Sequence, residues 1–104
     1  MEKKAEYKIE GKPATIEDPN GEGYVYLIKP VGHNVYKIGS TTDLERRLIQ
    51  NSRNTGQRME YVHYFYSKNM EHDEQRAQIM FSKSHLVRDW FVMSDEEIER
   101  FKKL

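Results

Sequence analysis

At 104 residues, 37% of them hydrophobic and none a cysteine, the chain has material for one domain with a small core and no means of bracing it with disulfides or thiolate-bound metal. No apolar run approaches the roughly 18 residues that span a bilayer, and the opening MEKKAEYKIEGK lacks the apolar stretch of a secretory leader, so an intracellular, cytoplasmic protein is expected. Formal net charge is zero, which argues against a general nucleic-acid binder, but residues 24–58 carry +4 between flanks of −2 each, a pattern compatible with a local phosphate site.

Residues 1–22 alternate weakly around Tyr7, Ile9 and Ile16, with Gly11-Lys12-Pro13 as a turn and Asp18-Pro19-Asn20-Gly21 as a break. They read as an N-terminal arm or edge hairpin ahead of one domain, 23–104. Tyr24–Lys29 is a compact β-prone run, Pro30–Asn34 a turn, and Val35–Gly39 a second strand, together an antiparallel hairpin. Thr42-Asp-Leu-Glu45 has the form of a capping box. The helix it opens should run to about Arg53, with Leu44 and Leu48 four apart on the buried side, and should end at Asn54-Thr-Gly56.

Met59–Tyr66, MEYVHYFY, is a third strand, rich in aromatic and β-branched residues. A helix from about Met70 to Lys83 follows, then a short extended piece, Trp90–Met93. Ser94-Asp-Glu-Glu97 is a second capping box, opening a last helix with Ile98 and Phe101 inward and Lys102-Lys103 at its C-terminal dipole. The order predicts an α+β fold, a small three-stranded antiparallel sheet flanked by helices.

Helical periodicity singles out two residues. Glu74 falls in one arc with Met70, Ala77 and Phe81, so a carboxylate occupies an apolar stripe, where it needs a cation, an arginine or a metal to stay ionised. Arg47 flanks the Leu44/Leu48 stripe, either as a rim residue or as part of a site, while Arg46 projects to water. A structural ion pair between Glu74 and Arg47 would account for both. The hairpin register leaves Lys37 undecided. A four-residue loop pairs Tyr26 with Lys37 on one face, whereas a loop one residue longer pairs Tyr26 with Ile38 and turns Lys37 to the other.

Tyr24-Val25-Tyr26 preceded by Gly23, then Lys37-Ile38-Gly39, Arg47 eight residues beyond that glycine, and Glu74 on the next helix resemble, in order and spacing, the GIY-YIG nuclease superfamily. Its small phage- and bacterial-type members, with a KIG-like second motif and a late Trp-Phe as in Asp89-Trp90-Phe91, are the nearest in pattern. Tyr24 stands at the first glycine of the signature and Lys37 at the second tyrosine. Asn51 falls near a family histidine, Gln78 at another, and the late asparagine of many members has no counterpart.

The resemblance implies metal-dependent hydrolysis of DNA phosphodiesters. Glu74 would hold Mg²⁺ or Mn²⁺, Tyr26 assisted by Lys37 would take a proton from water, and Arg47 would stabilise the phosphoryl oxygens. Tyr36, Ser40, Thr41, Arg46 and His33 are further candidate substrate contacts, His33 from the hairpin tip and the Ser-Thr turn from a helix N-terminus. DNA is the implied partner, with a second copy of the chain or a partner DNA-binding domain supplying grip and with no membrane association. The alternatives are a non-catalytic DNA-binding or accessory domain of the same fold, and a protein-interaction module using the aromatic strand.

Overall fold

The computed structural model describes residues 8–9, 12–13, 15–16 and 20–104. In chain order the elements are β1 (Lys8–Ile9), β2 (Lys12–Pro13), β3 (Gly23–Pro30), β4 (Tyr36–Thr41), α1 (Leu44–Thr55), β5 (Met59–Ser67), α2 (Met70–Met80), a 3₁₀ turn (Ser82–Ser84), β6 (His85–Val87), β7 (Trp90–Phe91) and α3 (Asp95–Lys102). β1 and β2 pair with each other, Thr15 bridges to Asp43, and the Ile16 amide donates to the Thr42 carbonyl at 2.9 Å. Residues 1–7, 10–11, 14 and 17–19 of the predicted 1–22 arm lie outside the described residues.

The α+β class holds, but the sheet has five antiparallel strands rather than three, in the order β5-β3-β4-β7-β6. The added pair is a short hairpin. His85, Leu86 and Val87 are all exposed, so β6 has no alternation of burial by which to announce itself in sequence. The expected elements are otherwise found with shifted ends. The cap of α1 is Asp43, whose side chain accepts from the Arg46 amide at 3.0 Å, one residue later than the predicted Thr42. Thr41 explains the shift, since its hydroxyl bonds both the amide and the carbonyl of Asp43 and holds that residue extended. Gly56 closes α1 in the left-handed conformation. α2 stops at Met80, three residues short of expectation, where Phe81 turns into the core. The Ser94/Glu97 capping box of α3 forms in both directions.

The sheet separates two cores. On one side Val25, Leu27, Ile38 and Phe91 meet Ala77 and Phe81 of α2 and Ile98 and Phe101 of α3. On the other, Tyr24, Tyr26, Ile28 and Met59 meet Leu44 and Leu48 of α1, with Tyr61, Tyr64 and Tyr66 packed against them. Strict alternation from Tyr66 and Tyr64 would bring Val62 to the tyrosine side. A bulge leaves Val62 unpaired, because Leu27 faces His63 while Ile28 faces Tyr61, and so delivers Tyr61 instead. Tyr61 then donates to the Leu44 carbonyl at 2.6 Å, tying β5 to the start of α1. Among the described residues no helix is long and apolar enough to cross a membrane.

Candidate active site

The register of β3 against β4 pairs Tyr24 with Thr41, Tyr26 with Gly39 and Ile28 with Lys37. Neither sequence alternative is met, but the observed pairing keeps the parity of the first, so Tyr26 and Lys37 share the α1 side. Gly39 lies directly opposite Tyr26. A Cβ built on Gly39 would stand 2.6 Å from Tyr26 Cζ and 3.1 Å from Cε1, so the phenol ring lies across β4 at the one residue that has no side chain to obstruct it.

β4 is only half covered on its far edge. β7 pairs with Tyr36 and Lys37 and stops. The next residue, Ile38, donates its amide to the Asp89 carbonyl at 3.1 Å and accepts from the Gln78 side chain at 3.1 Å. Beyond that point side chains from both faces of the sheet reach the strand edge.

From the α1 side come Arg47 and Asn51, one turn apart. Asn51 is 2% exposed, donates to the Arg47 carbonyl at 3.1 Å, and accepts from Lys37 Nζ at 3.0 Å. Lys37 therefore bonds Asn51, and it is Asn51 that pulls the Tyr26 phenol down. Arg47 Nε is buried with no hydrogen-bond partner among the described residues. A guanidinium donor left open in this way is costly unless something outside the fold satisfies it.

From the α2 side comes Glu74, half-buried, its Oε1 accepting from the Ser40 hydroxyl at 2.6 Å and its Oε2 from Gln78 Nε2 at 3.4 Å. The same Gln78 nitrogen is 3.3 Å from Asp89 Oδ1, so one amide stands between two carboxylates. Burial pushes the Glu74 carboxyl above its usual range, Ser40 pulls it down, Asp89 adds to the rise and Arg47 opposes it. Burial likewise raises the Tyr26 phenol, Asn51 and Arg47 counter it, and the charges of Glu74 and Asp89 reinforce it. Tyr26 and Glu74 thus feel Arg47 and Asp89 in common, although their side chains start from opposite faces of the sheet.

Tyr26, Lys37, Arg47, Glu74 and Ser40 are brought together at this edge. Thr41 is adjacent, but its hydroxyl is committed to Asp43, and Arg46 points to solvent from α1. Tyr36 and His33 lie elsewhere. Tyr36 is 6% exposed within the core on the α2 side, and His33 sits exposed at the β3–β4 loop, its amide bonded to the Pro30 carbonyl. The structure adds Asn51, Gln78 and Asp89. Asn51 was discoverable by the periodicity that exposed Glu74, since 44, 48 and 51 share one arc and a polar residue there must be satisfied. Gln78 is one turn beyond Glu74. Asp89 carries no comparable signal.

Among the described residues, no three histidine or acidic side chains gather into a metal cage. Glu74 and Asp89 provide two hard oxygen donors that repel each other, a set suited to a cation that keeps most of its own water.

A family model described as the T5orf172 domain matches residues 23–104, most of the chain. This is a different family from the GIY-YIG superfamily, which returns no match, so the resemblance read from the motifs is corrected. Its half-motifs have local causes: the tyrosine and the glycine face each other because the ring needs that space, and the tyrosine strand is the wall of the α1 core. The T5orf172 domain is associated with nuclease-like, DNA-binding proteins. No curated protein and no solved structure matches the chain.

Proposed function

The chain belongs to the T5orf172 domain family, and from that premise we propose that it is a DNA endonuclease, hydrolysing a phosphodiester at the uncovered edge of β4. The observation that carries this reading is Arg47: a buried guanidinium nitrogen with no acceptor among the described residues, beside a phenol and a carboxylate it is electrostatically coupled to. The guanidinium that carries this nitrogen is the group an incoming phosphate would engage.

Arg47 binds the non-bridging oxygens and stabilises the charge that grows on them during attack. Tyr26, when ionised, accepts the proton of the attacking water. Asn51 and, through it, Lys37 hold the phenol oxygen in place. Ser40 and Gln78 fix the two oxygens of Glu74. Glu74 would hold a Mg²⁺ or Mn²⁺ ion, with Asp89 near enough to share its charge, and such an ion when bound neutralises the leaving oxygen.

The test is cleavage of single-stranded, duplex and branched DNA in the presence of either metal, by the wild type and by Glu74→Gln. Activity in the first and a loss of about 100-fold or more in the second is expected, with the variant still folded by circular dichroism. Equal behaviour of the two would leave the alternative, a DNA-binding domain without catalysis. The raised Tyr26 phenol favours that alternative.

A further inference from the structure

We propose that the cavity between the second half of α2 and the β6–β7 hairpin is the subsite for the nucleotide flanking the scissile phosphate, and that Arg88 grips that nucleotide's phosphate. The proposal rests on the hydrolytic reading above and gives the substrate strand a direction across the molecule. The cavity is about 350 Å³ and is lined by Gln75, Gln78, Ser82, His85 and Arg88, with Phe91 among its apolar lining. It adjoins the site through Gln78, whose side chain lines the cavity and also touches Glu74 and Asp89.

Its chemistry is that of a nucleotide. Among the described residues the lining carries a guanidinium and two amides and no carboxylate, so an anion meets donors there. Gln75 also offers a paired donor and acceptor edge to a base, while the Gln78 nitrogen is spent on Ile38, Glu74 and Asp89. A second cavity of about 350 Å³, on the other flank of α2, is lined by Asp73, Arg76, Met80 and Leu104; it lacks the link to Glu74, and its one guanidinium shares the wall with a carboxylate.

The backbone supplies an independent sign. Arg88 and Asp89 form a two-residue turn, and Arg88 has φ of +52°, the left-handed region where an L side chain crowds its own carbonyl. Glycine is the residue for such a place. The conformation is held by His85 Nε2, which donates to the Arg88 carbonyl at 2.6 Å. By this turn two successive residues serve two compartments: Asp89 meets Gln78 beside Glu74, and Arg88 lines the cavity. The side chain carried at this strained position is the one that lines the cavity.

Arg88→Gly separates the two roles, because it removes the guanidinium and relieves the turn. Binding of a short fluorescein-labelled single-stranded DNA to the full chain is followed by anisotropy without divalent metal, over a salt series. Weakening of about tenfold is expected, with a salt slope lower by about one phosphate contact, partial recovery in Arg88→Lys, and a melting temperature unchanged or raised. Unchanged affinity and slope in Arg88→Gly overturn the subsite, as does binding too weak to measure in the wild type. If the wild type cleaves no DNA yet Arg88→Gly still loses binding, the endonuclease reading falls and the subsite stands. If cleavage is present and binding ignores Arg88, the reverse holds.

Discussion

The ring of Tyr26 occupies the space that a Cβ on Gly39 would need, with only 2.6 Å between that atom and Tyr26 Cζ. The two residues are direct cross-strand partners, and the glycine lets the phenol reach over β4 to its free edge. Gly39→Ala should therefore cost about 1–3 kcal/mol of stability by overpacking and should abolish most cleavage by displacing the phenol. In a Tyr26→Ala background the same change should cost little. Urea unfolding of the four proteins in this cycle measures the coupling, and additivity would show that the ring and the glycine do not meet.

Arg47 offers an opposite pattern. Its Nε has no acceptor among the described residues, so removing it relieves an unsatisfied group instead of breaking a bond. Arg47→Met should leave the unfolding midpoint unchanged or raised while cleavage falls by about 100-fold or more. Arg47→Lys should restore little, since a single ammonium cannot reproduce a planar fork. A fall in stability matching the fall in activity would assign Arg47 to packing alone.

The pH dependence follows from Tyr26. Burial raises its phenol above the ordinary tyrosine value and Asn51 pulls it back. A raised acid ionises only at higher pH, so cleavage that needs the phenolate should keep rising through neutral into alkaline solution. Asn51→Ala removes a lowering influence and should move the rising limb further toward alkali, with a lower rate at neutral pH. A profile that is flat above neutrality in both proteins would rule out the phenol as base.

His63 governs acid stability on the other face. Burial, then the nearby Lys102 charge, lowers its pKa, and its ring stands edge-on to Phe101 at 6.1 Å. A histidine with a depressed folded pKa is held neutral by the fold, and the unfolded chain binds the proton first. Its contribution is present above the unfolded value and is lost as pH falls through it. His63→Phe should therefore lose less stability than the wild type between neutral and mildly acid pH, measured by urea titration at each.

At the start of α3 the reciprocal Ser94 and Glu97 bonds give a conventional capping prediction. Ser94→Ala should cost about 1 kcal/mol. The Ser84 hydroxyl also donates to Glu97, shared between its two oxygens at 2.6 and 2.7 Å, and holds its carboxyl below the usual range. Glu97→Ala should thus also loosen the 3₁₀ turn after α2, seen as faster amide exchange at Ser84.

Local signals carried most of the fold. Tyr24–Lys29, MEYVHYFY and the Leu44/Leu48 stripe announce their elements, because burial on one side imprints a period on the sequence. The β6–β7 hairpin left no such imprint, since β6 is exposed throughout and β7 is two residues long. Glu74 was legible as a misplaced charge on an apolar arc. Asn51 gave the same signal more faintly, because an amide is cheaper to bury than a carboxylate. The hairpin register was not legible, since an uncommitted loop permits pairings two residues apart that leave every side chain on its own face. The family resemblance failed at the same level: short aromatic and glycine patterns report a ring fitted over a strand, and unrelated proteins meet that steric need alike.

β7 ends after two residues, and this truncation has a consequence for how the protein can fail. The proposed reaction centre is a junction, drawing donors from one layer and acids from the other, with no element owning it. Detachment of either helix from its sheet face would silence it while most of the hydrogen-bonded ladder survived. Turnover should accordingly vanish on warming before circular dichroism registers melting, making catalysis the more sensitive thermometer of this fold.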